Sequence, residues 1–166
     1  NDYPVMYEVV ADEAFTFTAQ LSQSARTQPE PLSLLLIRRN DRGGGVAEIT
    51  RQPFEVSQWT TRRDSLLGMS LHDSPVLSVD VEPGTYRLEV SAPDNSGQFM
   101  LTVGTESPET GYFDQLGYIR QTQTYFGYSF FSILRSSLVY YPIGILLLLG
   151  AFYQTWRFST KRRNNA

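Results

Sequence analysis

The residue types that most often carry out catalysis are scarce in this chain. His72 is the only histidine, and there is no cysteine. Asp73 follows His72 directly, and adjacent residues of a strand point to opposite faces, so the two side chains are badly placed for a catalytic dyad. A nucleophilic serine is not indicated either, because the chain has no Gly-x-Ser-x-Gly sequence. We interpret His72 as a loop residue and predict no enzyme: no catalytic, metal-binding or cofactor-binding residue.

Charge is distributed unevenly along the chain. All 17 acidic residues lie between Asp2 and Asp114, but only nine of the 14 basic residues precede residue 121, so residues 1–120 carry a net charge of −8. The rest of the chain carries five basic residues and no acidic one. An acidic N-terminal part and a basic C-terminal part, separated by an apolar run, are typical of a protein that crosses a membrane once. The acidic part also argues against nucleic acid as a partner.

The apolar run predicts a transmembrane helix over residues 136–157. Between Arg135 and Arg157 there are 21 uncharged residues. As a helix they would extend about 31 Å, close to the thickness of about 30 Å of the hydrocarbon core of a bilayer. The alternative is a buried helix of a soluble protein, but so small a chain could hardly enclose such a helix on every side.

The basic residues after this helix predict its orientation. Positive charge concentrates on the cytoplasmic side of membrane proteins, so residues 158–166 are expected to form a basic cytoplasmic tail. The N-terminal domain would then lie in the periplasm, with the helix in the inner membrane of a bacterium and lipid as one partner. A signal peptide cleaved before Asn1 would explain how the domain crosses, a trimmed chain being the alternative. The predicted cytoplasmic anchor is Arg157, Lys161, Arg162 and Arg163.

Residues 106–135 form a connector that is rich in aromatic side chains. Five of the ten residues from 125 to 134 are aromatic, which is too many for a flexible tether. Amphipathic rings suit both the headgroup level of a membrane and a contact with another subunit, and we expect both uses here. The predicted membrane and partner interface comprises Tyr125, Phe126, Tyr128, Phe130, Phe131, Tyr140, Tyr141, Gly144, Gly150, Tyr153 and Trp156.

Three residues interrupt the apolar surface of the predicted helix. Pro142 lies about one turn inside the helix and has no N–H, so it leaves the carbonyl of Leu138 without its usual donor and predicts a kink. Gly144 and Gly150 would let another helix approach closely, although their spacing differs from Gly-x-x-x-Gly. We therefore expect this helix to dock against other membrane subunits.

Residues 1–105 are expected to form a mainly β domain, the head. Residues 14–19, 76–81 and 85–90 alternate large apolar with small or polar side chains, residues 32–37 form a short apolar run, and residues 98–103 form a further strand candidate. Turn-forming residues separate these stretches. This pattern predicts an antiparallel β-sandwich, jelly-roll-like, in front of the single C-terminal helix. Weaker strand candidates are residues 6–10, 46–50, 54–59 and 66–71.

Two turns of the head carry a resemblance to a known family. Residues 82–86 read Glu-Pro-Gly-Thr-Tyr, and residues 96–101 read Ser-Gly-Gln-Phe-Met-Leu. Residues 82–104 resemble the last two strands of the bacterial pre-peptidase C-terminal domain, and the resemblance extends loosely over residues 10–105. It implies a small, jelly-roll-like, non-catalytic sandwich that serves in binding or adhesion. The chain departs from the family because it ends in a membrane helix, and because it lacks an acidic cluster for calcium.

These observations favour an accessory role. We expect a non-catalytic, single-pass subunit of a multisubunit membrane complex, for example a photosynthetic or respiratory one, in which the head braces the extracytoplasmic face. The alternative is a membrane-anchored binding or sensor module for a glycan, a peptide or a small ligand. The tail of about ten residues leaves little to signal with.

Overall fold

A computed structural model describes residues 4–39, 45–93, 96–104 and 110–163, with side chains as far as residue 157. Within these ranges the chain forms nine strands and two α-helices, with short 3₁₀ helices at Val56–Gln58 and Phe130–Arg135. The strands are β1 (Val5–Ala11), β2 (Phe15–Ser24), β3 (Ser33–Arg39), β4 (Val46–Gln52), β5 (Thr60–Asp64), β6 (Met69–Asp73), β7 (Leu77–Val81), β8 (Gly84–Ser91) and β9 (Met100–Val103). The helices are α1 (Tyr112–Tyr125) and α2 (Ser137–Arg163).

The strands form two sheets. The first has the order β1-β8-β3-β4, with antiparallel neighbours. In the second, β5 pairs with β6, while β6, β7 and β9 all pair antiparallel with the long strand β2. Ala19 on β2 pairs with both Leu77 and Val103, so β7 and β9 flank β2 on opposite sides. The predicted mainly β, sandwich-like fold with one C-terminal apolar helix is confirmed.

The core follows from the alternation of residues along β3 and β8. Leu34 and Leu36 pair with Val90 and Leu88, and these four side chains are fully buried. Tyr86, on the same face of β8, is buried too, and its hydroxyl donates a 2.7 Å hydrogen bond to the carbonyl of Glu82. Residues 86, 88 and 90 therefore form the core face of β8, in agreement with the alternation over residues 85–90. Burial of each such side chain favours folding by about 1.5–3 kcal/mol.

The strand predicted at residues 54–59 is wrong. Val56–Gln58 forms a 3₁₀ helix there. The carboxylate of Glu55 accepts hydrogen bonds from the Ser57 hydroxyl and from the Gln58 side-chain amide. These local hydrogen bonds join side chains within one turn, and the backbone N–H of Trp59 donates to the carbonyl of Val56, which closes the 3₁₀ turn.

The strand predicted at residues 66–71 begins too early. The Asp64 carboxylate accepts the Leu67 N–H at 2.8 Å, and Gly68 has a φ of +68°, so residues 65–68 form a turn. The strand that follows, β6, extends to Asp73 and includes His72, which therefore lies in a strand and not in the predicted loop.

Contacts divide the chain into two compact units. One, the head unit, comprises residues 1–63 and 70–109, and the other, the helical unit, comprises residues 64–69 and 110–166. The hairpin tip, defined as Asp64–Met69, thus belongs to the helical unit and not to the predicted head of residues 1–105. The predicted boundary at residue 105 lies outside the described residues.

Candidate membrane interface

The helix α2 carries the most extensive exposed apolar surface. Its segment Ser137–Arg157 is long and apolar enough to cross a membrane, and none of it is buried by the rest of the described chain. The four leucines from 146 to 149 are each 60–72% exposed. The predicted C-terminal apolar helix is thereby confirmed; α2 begins at Ser137, one residue after the predicted start of the span 136–157, and continues to Arg163.

Pro142 lies inside α2 as predicted, and the structure shows what happens to the freed carbonyl. A proline at position i removes the hydrogen bond to the carbonyl at i−4, here that of Leu138. The hydroxyl of Tyr112, on α1, donates a 3.0 Å hydrogen bond to this carbonyl. A side chain from α1 thus replaces the missing helical donor and ties the start of α1 to the first turn of α2.

Gln123 holds the hairpin tip against the segment before α2. Its side chain is fully buried, and its amide nitrogen donates to the carbonyl of Leu67 at 2.7 Å and to that of Ser132 at 3.1 Å. Both acceptor residues are buried. Among the described residues, the side-chain oxygen of Gln123 has no hydrogen-bond partner. The two donated bonds join three separate chain segments of the helical unit.

Ser136 has two roles at the start of α2. Its hydroxyl donates to the carbonyl of Leu66 at 2.5 Å, and its oxygen lies 3.3 Å from the N–H of Leu138. The second contact is that of an N-cap, which satisfies a helix donor that has no intrahelical partner. The backbone N–H of Ser137 also donates to the carbonyl of Ser65 at 2.8 Å. The residue that begins α2 therefore also binds the hairpin tip.

Gly68 lets the hairpin tip approach the backbone before α2. A Cβ atom at this position would lie 2.6 Å from the carbonyl carbon of Arg135 and 2.7 Å from the nitrogen of Ser136. The φ of +68° is also in the left-handed region, which favours glycine. Both the conformation and the space therefore require glycine here.

The predicted interface residues are almost all accessible. Tyr125, Phe130, Phe131, Tyr140, Tyr141, Tyr153, Trp156 and Gly150 are exposed, and Tyr128 and Gly144 are partly exposed. Phe126 differs, because its side chain is only 5% exposed. It packs inside the helical unit, whose buried apolar residues also include Leu67, Met69 and Ile119. The assignment of Phe126 to the interface is therefore wrong.

The two glycines of α2 do not share a face. Nothing lies within 4 Å of a Cβ built at Gly144 or at Gly150, so both positions are open to a neighbour. Six residues of an α-helix correspond to a rotation of about 600°, which places the two glycines about 120° apart. They offer two separate points of close approach, and not one stripe.

Two exposed aromatic residues at the start of α1, Tyr112 and Phe113, are missing from the predicted interface set. Phe113 is 83% exposed, and its ring lies 5.5 Å from that of Tyr112. A count of aromatic residues over 106–135 would find both Tyr112 and Phe113.

Of the predicted cytoplasmic anchor, Arg157 is exposed, and the side chains of Lys161, Arg162 and Arg163 lie outside the described residues.

The polar residues of the head unit are engaged in its own structure. Asp73 is buried, and its carboxylate accepts hydrogen bonds of 2.6 Å from the Ser22 hydroxyl and from Nε of Arg62. His72 contacts Thr61 Oγ1 through Nδ1 at 3.0 Å and the carbonyl of Thr27 through Nε2 at 3.1 Å. His72 and Asp73 thus have different partners. Within the described residues, no group of three or more His, Asp or Glu could hold a metal ion.

Comparison of the chain with models of known families, with curated proteins and with solved structures found no match. The resemblance of residues 82–104 to the pre-peptidase C-terminal domain therefore stays a prediction.

Proposed function

We propose that this chain is a non-catalytic, single-pass subunit of a multisubunit membrane complex. Its head unit would lie on the periplasmic side of a bacterial inner membrane and its basic tail in the cytoplasm. The observation that carries the proposal is the surface of α2, where no residue of the span Ser137–Arg157 is fully buried and the leucines from 146 to 149 are 60–72% exposed. An apolar surface of that size requires a bilayer, other helices, or both.

The connection before α2 supports a bracing role. A domain that only needs to stay near a membrane can be tethered to it by a flexible linker. Here the hairpin tip, whose flanking strands lie in the head unit, is hydrogen-bonded to the residues that begin α2. Gln123 adds two buried hydrogen bonds at the same place. These hydrogen bonds fix the start of α2 within the helical unit, which supports a structural role better than that of a flexible tether.

Photo-crosslinking in native membranes tests the proposal. The four consecutive leucines from 146 to 149 point in directions about 100° apart, so a photoreactive residue at each of them samples the whole circumference of α2. We expect one position, or two that are neighbours on the helix surface, to form an adduct with the same membrane protein. The other positions should label lipid. A photoreactive residue at Val56, which is exposed in the head unit, is the matched control for adducts that form away from α2.

Extraction in mild detergent gives the second readout. We expect the chain to migrate with a larger complex in a native gel. Migration as a single chain, with only lipid adducts at all four leucines, would contradict the proposal. A binding or sensor module would then be the better account, and a ligand-dependent shift of the head unit's unfolding temperature would support it.

A further inference from the structure

The most exposed apolar side chains outside α2 are three phenylalanines. Among the described residues, Phe113 is 83% exposed, Phe131 75% and Phe130 67%, and we name these three residues the aromatic collar. The exposed apolar residues of the head unit reach at most 63%, at Val10 and Val46. Leaving a phenylalanine in water forgoes about 1.5–3 kcal/mol of burial energy. All three rings belong to the helical unit, which also contains the uncovered helix.

Phe113 is held at the level of the first turn of α2. Its neighbour Tyr112 donates the 3.0 Å hydrogen bond to the carbonyl of Leu138, the second residue of α2. The rings of Tyr112 and Phe113 are 5.5 Å apart. Phe113 is therefore close to the residue at which the apolar span begins.

Phe130 and Phe131 are kept near the start of α2 by the chain itself. The 3₁₀ helix that contains them ends at Arg135, and only Ser136 separates it from α2. Four 3₁₀ steps of about 2 Å and two extended steps of about 3.4 Å keep the Cα atom of Phe131 within about 15 Å of that of Ser137. The headgroup region on each side of a bilayer is about 5–8 Å thick. A 3₁₀ helix that leaves α2 along the membrane surface keeps both rings within that region.

A cation accompanies the collar. The guanidinium carbon of Arg120 lies 5.3 Å from the centre of the Phe130 ring, and Nη1 of Arg120 donates to the carbonyl of Ser129 at 3.0 Å. Aromatic rings together with arginine are typical of the level at which phosphate headgroups meet the hydrocarbon core.

We propose that the aromatic collar inserts into the headgroup region of the bilayer on the N-terminal side of α2. The occupant of this surface is lipid, because two independent connections, one through Tyr112 and one through the 3₁₀ helix, place its rings where the apolar span begins. The inference rests on the proposed function in one respect, namely that α2 crosses the membrane. It adds that the helical unit lies in the membrane surface as well as across it.

Single-cysteine variants test this, since the natural chain has no cysteine and gives no background labelling. The full chain carrying Phe113→Cys or Phe131→Cys is spin-labelled and reconstituted in vesicles of phosphatidylethanolamine and phosphatidylglycerol. Accessibility to oxygen, which concentrates in lipid, is then compared with accessibility to a water-soluble nickel chelate. Val56→Cys serves as the aqueous reference and Leu147→Cys as the reference for the bilayer interior. Unchanged circular dichroism in each variant shows that the fold is kept.

We expect the collar labels to lie between the two references, with nickel accessibility several-fold below that of the Val56→Cys label. Collar labels as accessible to nickel as that reference, beside a bilayer value for Leu147→Cys, would overturn the inference and leave the spanning helix intact. A water-like value for Leu147→Cys would overturn the proposed function itself. Collar labels shielded from both reagents, with spin–spin broadening, would show a protein contact and overturn the inference in favour of a second copy of the chain.

Discussion

The two units of this chain bury their residues in opposite ways. The head unit has a continuous core of aliphatic and aromatic residues from both sheets, with Leu34, Leu36, Leu88 and Val90 fully buried. The helical unit buries few apolar side chains, and polar ones such as Gln123 and Ser136 are fully buried among them. It leaves most of its large apolar side chains exposed, Phe126 being an exception.

This difference indicates what each unit depends on. The head unit covers its own apolar residues, so hydrophobic burial within the chain stabilises it. The helical unit relies on hydrogen bonds and close backbone contacts, and its apolar residues are available to lipid or to a neighbouring protein. Substitutions that remove one kind of interaction should therefore affect one unit and spare the other.

The largest effect is expected in the head unit from Leu88→Ala. It leaves a cavity in the fully buried core, and substitutions of this type cost about 3–5 kcal/mol in the free energy of unfolding. The matched control is Leu147→Ala on α2, where the side chain is 69% exposed, and it should leave that free energy unchanged.

Fluorescence of Trp59, which packs against the head core, reports the unfolding of the head unit during denaturation in detergent micelles. A Trp156→Phe background removes the second tryptophan. Equal destabilisation by the two leucine substitutions would contradict the separation of the units.

The second effect is expected in the helical unit from Gly68→Ala. The added Cβ would overlap the backbone of Arg135 and Ser136 and would force a left-handed φ on alanine. Overpacking and backbone strain together cost about 2–5 kcal/mol. The measurement is hydrogen exchange of the hairpin tip in the full chain, in which we expect protection to fall sharply.

Gly117→Ala is the control for this substitution. Gly117 lies inside α1 and nothing lies within 4 Å of a Cβ built there, so alanine should stabilise the helix by up to about 1 kcal/mol. If Gly68→Ala also stabilises the helical unit, as Gly117→Ala is expected to do, the close approach of the backbone at Gly68 does not require glycine.

A smaller effect is expected from Gln123→Met, which keeps the length of the side chain but removes the donors to Leu67 and Ser132. Leaving buried carbonyls without donors costs about 1–3 kcal/mol. Hydrogen exchange of the hairpin tip again measures the loss. Gln121→Met, at an exposed position of the same helix, should have little effect. An equal loss of protection in both variants would show that the two hydrogen bonds of the buried amide do not stabilise the hairpin tip.

The smallest effect is expected from Tyr112→Phe, which removes one hydrogen bond, worth about 0.5–1.5 kcal/mol. Hydrogen exchange of α1 should accelerate roughly two- to tenfold. Pro142→Ala supplies the N–H that Leu138 lacks, so Tyr112→Phe should cost less in that background. An equal cost in both backgrounds would refute the replacement of the helical donor by Tyr112, because the cycle isolates their coupling.

Patterns along the sequence predict the local elements well and the contacts between distant segments poorly. Residues 85–90 alternate cleanly, and the 21 uncharged residues after Arg135 have a length that fits a membrane. Both β8 and the apolar helix can therefore be predicted from the sequence. The hairpin tip cannot, because Gln123 reaches Leu67 across 56 residues of sequence. The burial of Phe126 is equally unpredictable from local sequence, because it depends on how the helical unit folds.

The most direct test of the whole account is the topology of the chain in intact cells. Single cysteines are introduced by Val56→Cys in the head unit and by Asn164→Cys beyond α2, and spheroplasts are treated with a membrane-impermeant maleimide. The account predicts that the Val56→Cys chain reacts in intact spheroplasts, and that the Asn164→Cys chain reacts only after the membrane is permeabilised. Labelling of both in intact spheroplasts, or the reverse pattern, would contradict a single-pass protein with its head outside.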